Sequence, residues 1–403
     1  METDKRNRKN LMLLTIAQAL GASSPPIIIS LGGLVGRNLS ENPAIATLPV
    51  SIYQAGVALS VVPAALLMRQ LGRRHAYFLG ALFGVLSGVV AAFGIIHGSF
   101  FTFCIGTLLA GVYGAHVQSY RFAATDDVAI NMRNRAISWI MVGGLIAAII
   151  GPQLVIWTRN SYEGIEFAGS FFSQTFLALL ALPVLFFYRP KTKRESTTRS
   201  DEVTSSKTAP KIIEILRIRG FLLAVIAGAI SYALMSFLMT ATPMAMHDHN
   251  HSINHAALGI QWHILAMFLP SFITGRLINK FGAERISAIG LSLIMLSALA
   301  ALTGYSLLSF FSALILLGLG WNFGFIGATS MIAALSTPEN KTKMQGINDF
   351  IVFGSVALSS FLSGTLLQSA GWVFINLMVF PIVLAILIPL LWRQKTIKKH
   401  DRK

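Results

Sequence analysis

The stretch MHDHNHSINHAALGIQWH, residues 246–263, packs five of the chain's nine histidines into eighteen residues. His247, His249 and His251 alternate with Asp248 and Asn250. Imidazole and carboxylate suit zinc, copper or nickel, so weak metal capture or a pH-sensitive rim is one reading. The i, i+2 spacing opposes it, because a helical metal site sets its histidines at i and i+4. The plainer reading is a polar loop, and no metal is expected. His263 belongs to different surroundings. It lies about eight residues into an apolar run, roughly 12 Å along a helix rising 1.5 Å per residue. A titratable group at that depth is a functional candidate; the alternative is a neutral imidazole bonded to a neighbouring helix. Gln261 and Trp262 flank it as further lining candidates.

A second polar stripe lies in GVYGAHVQSYRF. Tyr113, His116 and Tyr120 share one helix face at i−3, i and i+4. Such a stripe can stack on a flat ring or donate to carboxylates. Arg121 next to it offers either a fork for an anion or a cation snorkelling to the headgroups. Trp321 and Asn322 stand in GLGWNFGFIG, whose glycines permit close helix approach. Gln18, Gln54 and Tyr232 are further pocket candidates. Asp349 is the acid most clearly inside a predicted helix. With so few buried carboxylates, proton coupling would have to use His263, His116 or Asp349.

Composition says what positions these residues. The chain has 403 residues, 54% hydrophobic and 12% charged, against roughly 25% charged in a soluble protein. Twelve apolar runs approach the roughly 20 residues that span a bilayer. They lie near 11–35, 45–68, 76–97, 99–122, 136–157, 169–188, 220–242, 255–277, 286–305, 307–333, 346–368 and 371–392. Each must be helical, since lipid cannot satisfy open backbone groups. Pro25-Pro26 is expected to break or bend the first run, and Pro243 the seventh near its end. The first run is too long for a cleaved signal segment. Cys104 is the only cysteine, which excludes a disulfide framework.

The net charge of +16 invites a nucleic-acid reading, but the positions argue against it. With the N-terminus inside, all Lys and Arg except Arg37 and Arg159 fall on cytoplasmic segments. That is the positive-inside pattern, and it puts both termini in the cytoplasm. The tail RQKTIKKHDRK is also suited to touch anionic lipid.

The two halves repeat at an offset of about 210 residues, aligning Gly72 with Gly282, Arg133 with Lys343, Ile137 with Ile347 and Gly144 with Gly354. Residues 1–190 form one expected six-helix bundle and 211–403 the other. The Ser/Thr-rich stretch 191–210 is the expected flexible linker, and KIIEILRIRGF after it reads as interfacial. The fold class is an all-α membrane protein, twelve transmembrane helices in two pseudo-symmetric bundles. In secondary transporters built this way the substrate site lies between the halves near the midplane.

Here the chain resembles the major facilitator superfamily over nearly its whole length. The family's loop between helices 2 and 3 reads roughly G-x-x-x-D-R/K-x-G-R-R/K. ALLMRQLGRR matches it at Gly72, Arg73 and Arg74, with Ala65 at the Gly position and Arg69 at the Asp position. The second copy, GRLINKFGAER, keeps Gly275, Lys280 and Gly282, with Asn279 at the Asp position. GGLIAAIIGP resembles the glycine-proline motif of proton-drug antiporters without its trailing Gly-Gly. YRFAA, TPMAM, QWHILAMFLPSFITG, GWNFGFIG and NDF are similar to a bacterial branch near riboflavin and carboxylate-siderophore transporters. The resemblance implies a monomeric inner-membrane transporter working by alternating access. It needs no cofactor and takes no nucleic acid. Its solute is a carboxylate siderophore or a vitamin such as riboflavin. A proton-coupled efflux pump is the alternative within transporters, and a transporter-like receptor is the alternative outside them. An enzyme lacks any recognisable constellation. The resemblance also implies a cytoplasmic gate of Arg69, Arg73, Lys280 and Asp349. In it Asp349 either pairs with Arg69, the usual signs being exchanged, or caps the positive start of its helix.

Overall fold

The computed structural model describes residues 2–126, 133–190, 212–337 and 340–400. Among these the chain is helical and contains no strand. It divides into two compact units, Met1–Thr204 and Ser205–Lys403. The boundary falls inside the expected linker, which lies outside the described residues.

Unit 1 holds α1 (Glu2–Gly21), α2 (Ser24–Leu39), α3 (Leu48–Leu71), α4 (Arg73–Ile96), α5 (Phe100–Gln118), α6 (Tyr120–Asp126), α7 (Arg133–Thr158) and α8 (Ala168–Phe187). The first apolar run is broken between α1 and α2, as Pro25-Pro26 predicts. A proline has no N–H to give a helix interior but is tolerated in a first turn, and here the pair opens α2. The core is a cluster of Leu14, Tyr77, Tyr113, Tyr120, Ile140, Leu185 and Tyr188. Asn10 closes the unit: its Nδ2 donates to Arg189 O at 2.7 Å, and its Oδ1 accepts from Arg189 N at 3.2 Å.

Unit 2 holds α9 (Ile212–Leu216), α10 (Phe221–Asp248), α11 (Ile253–Phe268), α12 (Ser271–Phe281), α13 (Ala283–Leu302), α14 (Leu307–Leu335), α15 (Lys341–Leu377) and α16 (Val379–His400). Two boundaries correct the expectations. The seventh run does not stop at Pro243; α10 continues to Asp248. Every residue from Leu234 to Met246 is buried, and surrounding helices keep a proline-containing membrane helix intact. The expected histidine loop therefore shrinks to 249–252. The eighth run is not one straight helix. α11 and α12 bend by 42° at Leu269-Pro270.

Among the described residues ten helices are long and apolar enough to cross a membrane, and the bent pair α11–α12 is an eleventh. One of the ten, Lys343–Trp392, runs for 50 residues. That is about 75 Å at 1.5 Å per residue, more than twice the roughly 30 Å of a hydrocarbon core. It is interrupted at Gly371, φ 82°, so it supplies two crossings and brings the total to twelve. The internal repeat survives in the backbone. Gly72 (φ 80°, ψ 156°) joins α3 to α4, and Gly282 (φ 90°, ψ 150°) joins α12 to α13. That conformation is open essentially to glycine alone, which is why the two halves align there.

Candidate functional site

In unit 2 the sequence-predicted residues Tyr232 and Trp321 meet. Tyr232 of α10 stands edge-on to Trp321 and Phe325 of α14, with ring centroids 5.2 and 5.1 Å apart. Trp321 and Phe325 stack at 5.4 Å and 15°. Phe353 of α15 approaches Tyr232 at 6.3 Å, and Phe268 of α11 approaches Trp321 at 6.2 Å. Five aromatic rings from four helices thus form one cluster, in the offset and edge-on geometries that ring quadrupoles favour. The cluster carries one unanswered polar group: the indole Nε1 of Trp321 is buried without a hydrogen-bond partner.

The glycines of α14 set how closely, and in what rotation, that helix packs on its neighbours. A Cβ at Gly318 would fall 2.4 Å from His263 O. Cβ atoms at Gly320, Gly324 and Gly327 would fall within 2.7 Å of Ile294, Ser231 and Ser287. The glycines let α14 pack almost backbone to backbone on α11 and α13, as expected of them. Trp321 and Phe325, at i and i+4, share one side of the helix, beside Gly318 and Gly324.

Asn322 is fully buried, but its side chain is committed to the bend of the eighth run. Nδ2 donates to Met267 O and to Ser271 Oγ, both at 2.6 Å. Oδ1 accepts from Thr274 Oγ1 at 2.6 Å. All these partners flank Pro270, so Asn322 staples the junction of α11 and α12. His263 is also fully buried. Its Nδ1 lies 2.8 Å from Leu314 O. A carbonyl can only accept, so Nδ1 carries a proton; Nε2, a lone pair in the neutral ring, is buried without a partner. Trp262, next to it, is 47% exposed on another side of α11. The helical phase of about 100° per residue separates the two.

In unit 1 the stripe predicted from spacing is real and wholly buried. Tyr113, His116 and Tyr120 lie along α5 and the start of α6 and face α4. A Cβ at Gly84 would fall 2.5 Å from the Tyr113 ring, and one at Gly80 would fall 2.6 Å from the His116 ring. Tyr120 stands edge-on to Tyr77 at 4.7 Å. The hydroxyls of Tyr113 and Tyr120 and Nε2 of His116 are buried without partners, while His116 Nδ1 lies 2.9 Å from Val112 O. Gln18 and Gln54 are half-buried elsewhere in the unit. Arg121 is exposed and lies over the Phe122 ring at 4.8 Å. Arg69 and Lys280 are exposed and Arg73 is half-buried. Asp349 is exposed and accepts from Asn348 Nδ2 at 3.0 Å.

The histidine-rich turn is occupied by local bonding. His249 stacks on Tyr305 at 3.8 Å and 12°, and its Nδ1 lies 2.8 Å from Ala245 O. His251 Nε2 donates to Tyr305 O at 2.6 Å. His255 Nδ1 lies 3.0 Å from Ser252 Oγ. Among the described residues no group of three potential ligands could hold a metal ion. Replacing His247, His249 and His251 together with Ser is expected to leave transport within about twofold of wild type, the scale of surface substitutions. A loss beyond about tenfold, the factor that 1.4 kcal/mol gives, with rescue by added zinc in a liposome assay, would make the turn a metal site.

Sequence reasoning missed Phe268, Phe325 and Phe353, and the polar partners Ser271 and Thr274. Only the i, i+4 spacing of Phe325 from Trp321 was available to find any of them.

The chain matches the model of the Major Facilitator Superfamily over residues 11–269 and 224–403. It is 59% identical over 389 residues to the riboflavin transporter RfnT of Brucella anthropi, covering 96% of each chain. It is 29% identical over 401 residues to the uncharacterized MFS-type transporter YdeG of Bacillus subtilis, covering 95% of this chain and 91% of that one. The nucleoside transporter NupG, in a crystal structure, superposes with a TM-score of 0.70 at 11% identity, covering 96% of this chain and 98% of that one. That likeness concerns the fold. The chain is a multi-pass membrane transporter of a small solute, and it belongs to the Major Facilitator Superfamily.

Proposed function

We propose that the chain carries riboflavin across the bacterial inner membrane by alternating access. The observation that carries this reading is the 59% identity, over 96% of both chains, to a protein named as a riboflavin transporter. The aromatic cluster of unit 2 supports it chemically. Riboflavin presents a flat, uncharged tricyclic ring with carbonyl acceptors on one edge. Trp321, Phe325, Tyr232 and Phe353 offer ring faces and edges, and the unpartnered Trp321 N–H offers a donor. No charged side chain belongs to this cluster, which suits an uncharged ring better than a polycarboxylate siderophore. The distribution of Lys and Arg supports cytoplasmic termini. The protein acts as a monomer and as a carrier without catalytic chemistry.

The test is transport by purified protein in liposomes. Labelled riboflavin is expected to accumulate, and unlabelled riboflavin is expected to compete. A ferric carboxylate siderophore and a cationic dye are expected to do neither. Transport of the siderophore or dye, with none of riboflavin, would overturn the reading.

A further inference from the structure

A groove runs down the side of unit 2 between α13 and α16. Its lining is Arg285, Ile289, Leu293 and Leu296 from one helix, with Leu387 and Leu391 from the other. Its volume of about 420 Å³ lies within the range of small-molecule sites, and it is open along one side. The stripe on α13 is helical: 285, 289, 292 and 296 stand at i, i+4, i+7 and i+11, on one face. Arg285 to Leu296 spans roughly 16 Å at 1.5 Å per residue. That is about half of the roughly 30 Å hydrocarbon thickness, the depth of one leaflet. Ile289, Leu296 and Leu391 are each more than 40% exposed within the protein.

The two ends differ chemically. Below Arg285 the walls are aliphatic apart from Ser292. Arg285 itself stands in the first turn of α13, at the end that the positive-inside pattern puts at the cytoplasmic headgroups. Its guanidinium makes no hydrogen bond or ion pair with any described residue. Arg276 and Lys280 on neighbouring α12 are exposed and add positive potential, against one acid, Glu284. A cation at the headgroup level above an apolar trough of one leaflet's depth is complementary to an anionic amphiphile. Interfacial basic pockets between membrane helices bind lipid headgroups by the same chemistry.

We propose that the groove between α13 and α16 binds one anionic phospholipid, its phosphate held by Arg285 and one acyl chain lying along Ile289, Leu293, Leu296, Leu387 and Leu391. Arg supplies a planar fork that matches two phosphate oxygens. The bound chain shields apolar walls that a bulk lipid would cover more loosely. The site is separate from the aromatic cluster, so it does not rest on the identity of the transported solute.

The test uses the purified full chain, delipidated in detergent. It is labelled with phosphatidylglycerol bearing a photoreactive acyl chain, or with phosphatidylcholine bearing the same chain. Cross-links are mapped by peptide mass spectrometry. Labelling of 286–296 and 387–391 is expected to be at least about fivefold stronger with phosphatidylglycerol, a ratio equivalent to roughly 1 kcal/mol, the scale of one basic residue at an anionic surface. Arg285→Gln should bring it down to the phosphatidylcholine level, while Arg276→Gln should not. Leu293→Trp, which fills the trough, should weaken labelling by both lipids. Size-exclusion chromatography checks that each variant is folded, and the two chemically different changes guard against the loss of either one. Equal labelling by both lipids would overturn the proposal. So would an equal effect of Arg276→Gln, or displacement by excess inorganic phosphate.

Discussion

Trp321→Ala is expected to raise the KM for riboflavin at least about tenfold, with folded protein still recovered. The indole is the centre of the cluster, touching Tyr232, Phe268 and Phe325. Stacking of a heteroaromatic ring on an aromatic side chain is worth about 1–3 kcal/mol. A lost hydrogen bond to an uncharged group adds roughly 0.5–1.5 kcal/mol. Either term alone approaches the 1.4 kcal/mol that makes a factor of ten. The two terms can be separated. Trp321→Phe keeps a ring and removes the N–H, so it should fall between wild type and Trp321→Ala. Lumiflavin, which keeps the ring without the ribityl chain, should compete for the wild type and lose that competition in Trp321→Ala. Initial-rate uptake into liposomes reads both. An unchanged KM in Trp321→Ala would remove this cluster from the solute's path, and normal riboflavin transport in that variant would leave the substrate assignment standing without it.

How far the sequence predicts this site depends on how local each signal is. The depth of His263 is visible from its place in an apolar run. Its partner, Leu314 O, is 51 residues away and belongs to a different helix. No pattern within one run identifies it. Asn322 is a pocket candidate from sequence because an amide has no apolar reason to sit inside a membrane helix. That it has three partners, all around one bend, follows from where Pro270 breaks the eighth run, and the hydropathy of that run is continuous across the break. Trp321 is named from sequence beside Asn322 in GLGWNFGFIG. Phe325 and Phe353 are not, since a phenylalanine facing a neighbouring helix and one facing lipid look alike in sequence. The stripe of Tyr113, His116 and Tyr120 was legible as a shared face. That it lies against Gly80 and Gly84 required knowing how α4 and α5 pair. The fold itself was the most legible feature, because lipid leaves the backbone so few choices. What the sequence does not give is the end of the seventh run, which continues past Pro243, and the bend of the eighth at Pro270, because packing decides whether a proline ends, bends or merely occupies a helix.

Gly290→Ala is expected to abolish recovery of folded protein, and transport with it. A Cβ at Gly290 would lie 2.0 Å from Gly324 N, 2.5 Å from Gly324 Cα and 2.7 Å from Gly320 O. All three obstacles are backbone atoms, so no rotamer change relieves the contact. Carbon atoms settle at about 3.5–4.0 Å; α13 and α14 would have to separate by roughly 1 Å or more along their closest line. Packing between membrane helices rests on such contacts, because lipid supplies no hydrophobic drive to replace them. Overpacking of a tight core costs about 1–3 kcal/mol when side chains can yield, and a backbone-to-backbone clash lies at or above the top of that range. The displacement would also move α14, which carries Trp321 and Phe325, so riboflavin transport should be lost in any molecules that do fold. Gly144→Ala is the control of opposite sign. Nothing lies within 4 Å of its Cβ position in α7, and replacing a helix-interior glycine by alanine stabilises by roughly 0.5–1 kcal/mol. Fluorescence-detected size exclusion of fused, detergent-solubilised protein, before and after heating, compares the two. A wild-type peak and wild-type thermal midpoint for Gly290→Ala would show that α13 and α14 do not meet at Gly290 and Gly324, and the orientation argued for Trp321 would fall with that contact.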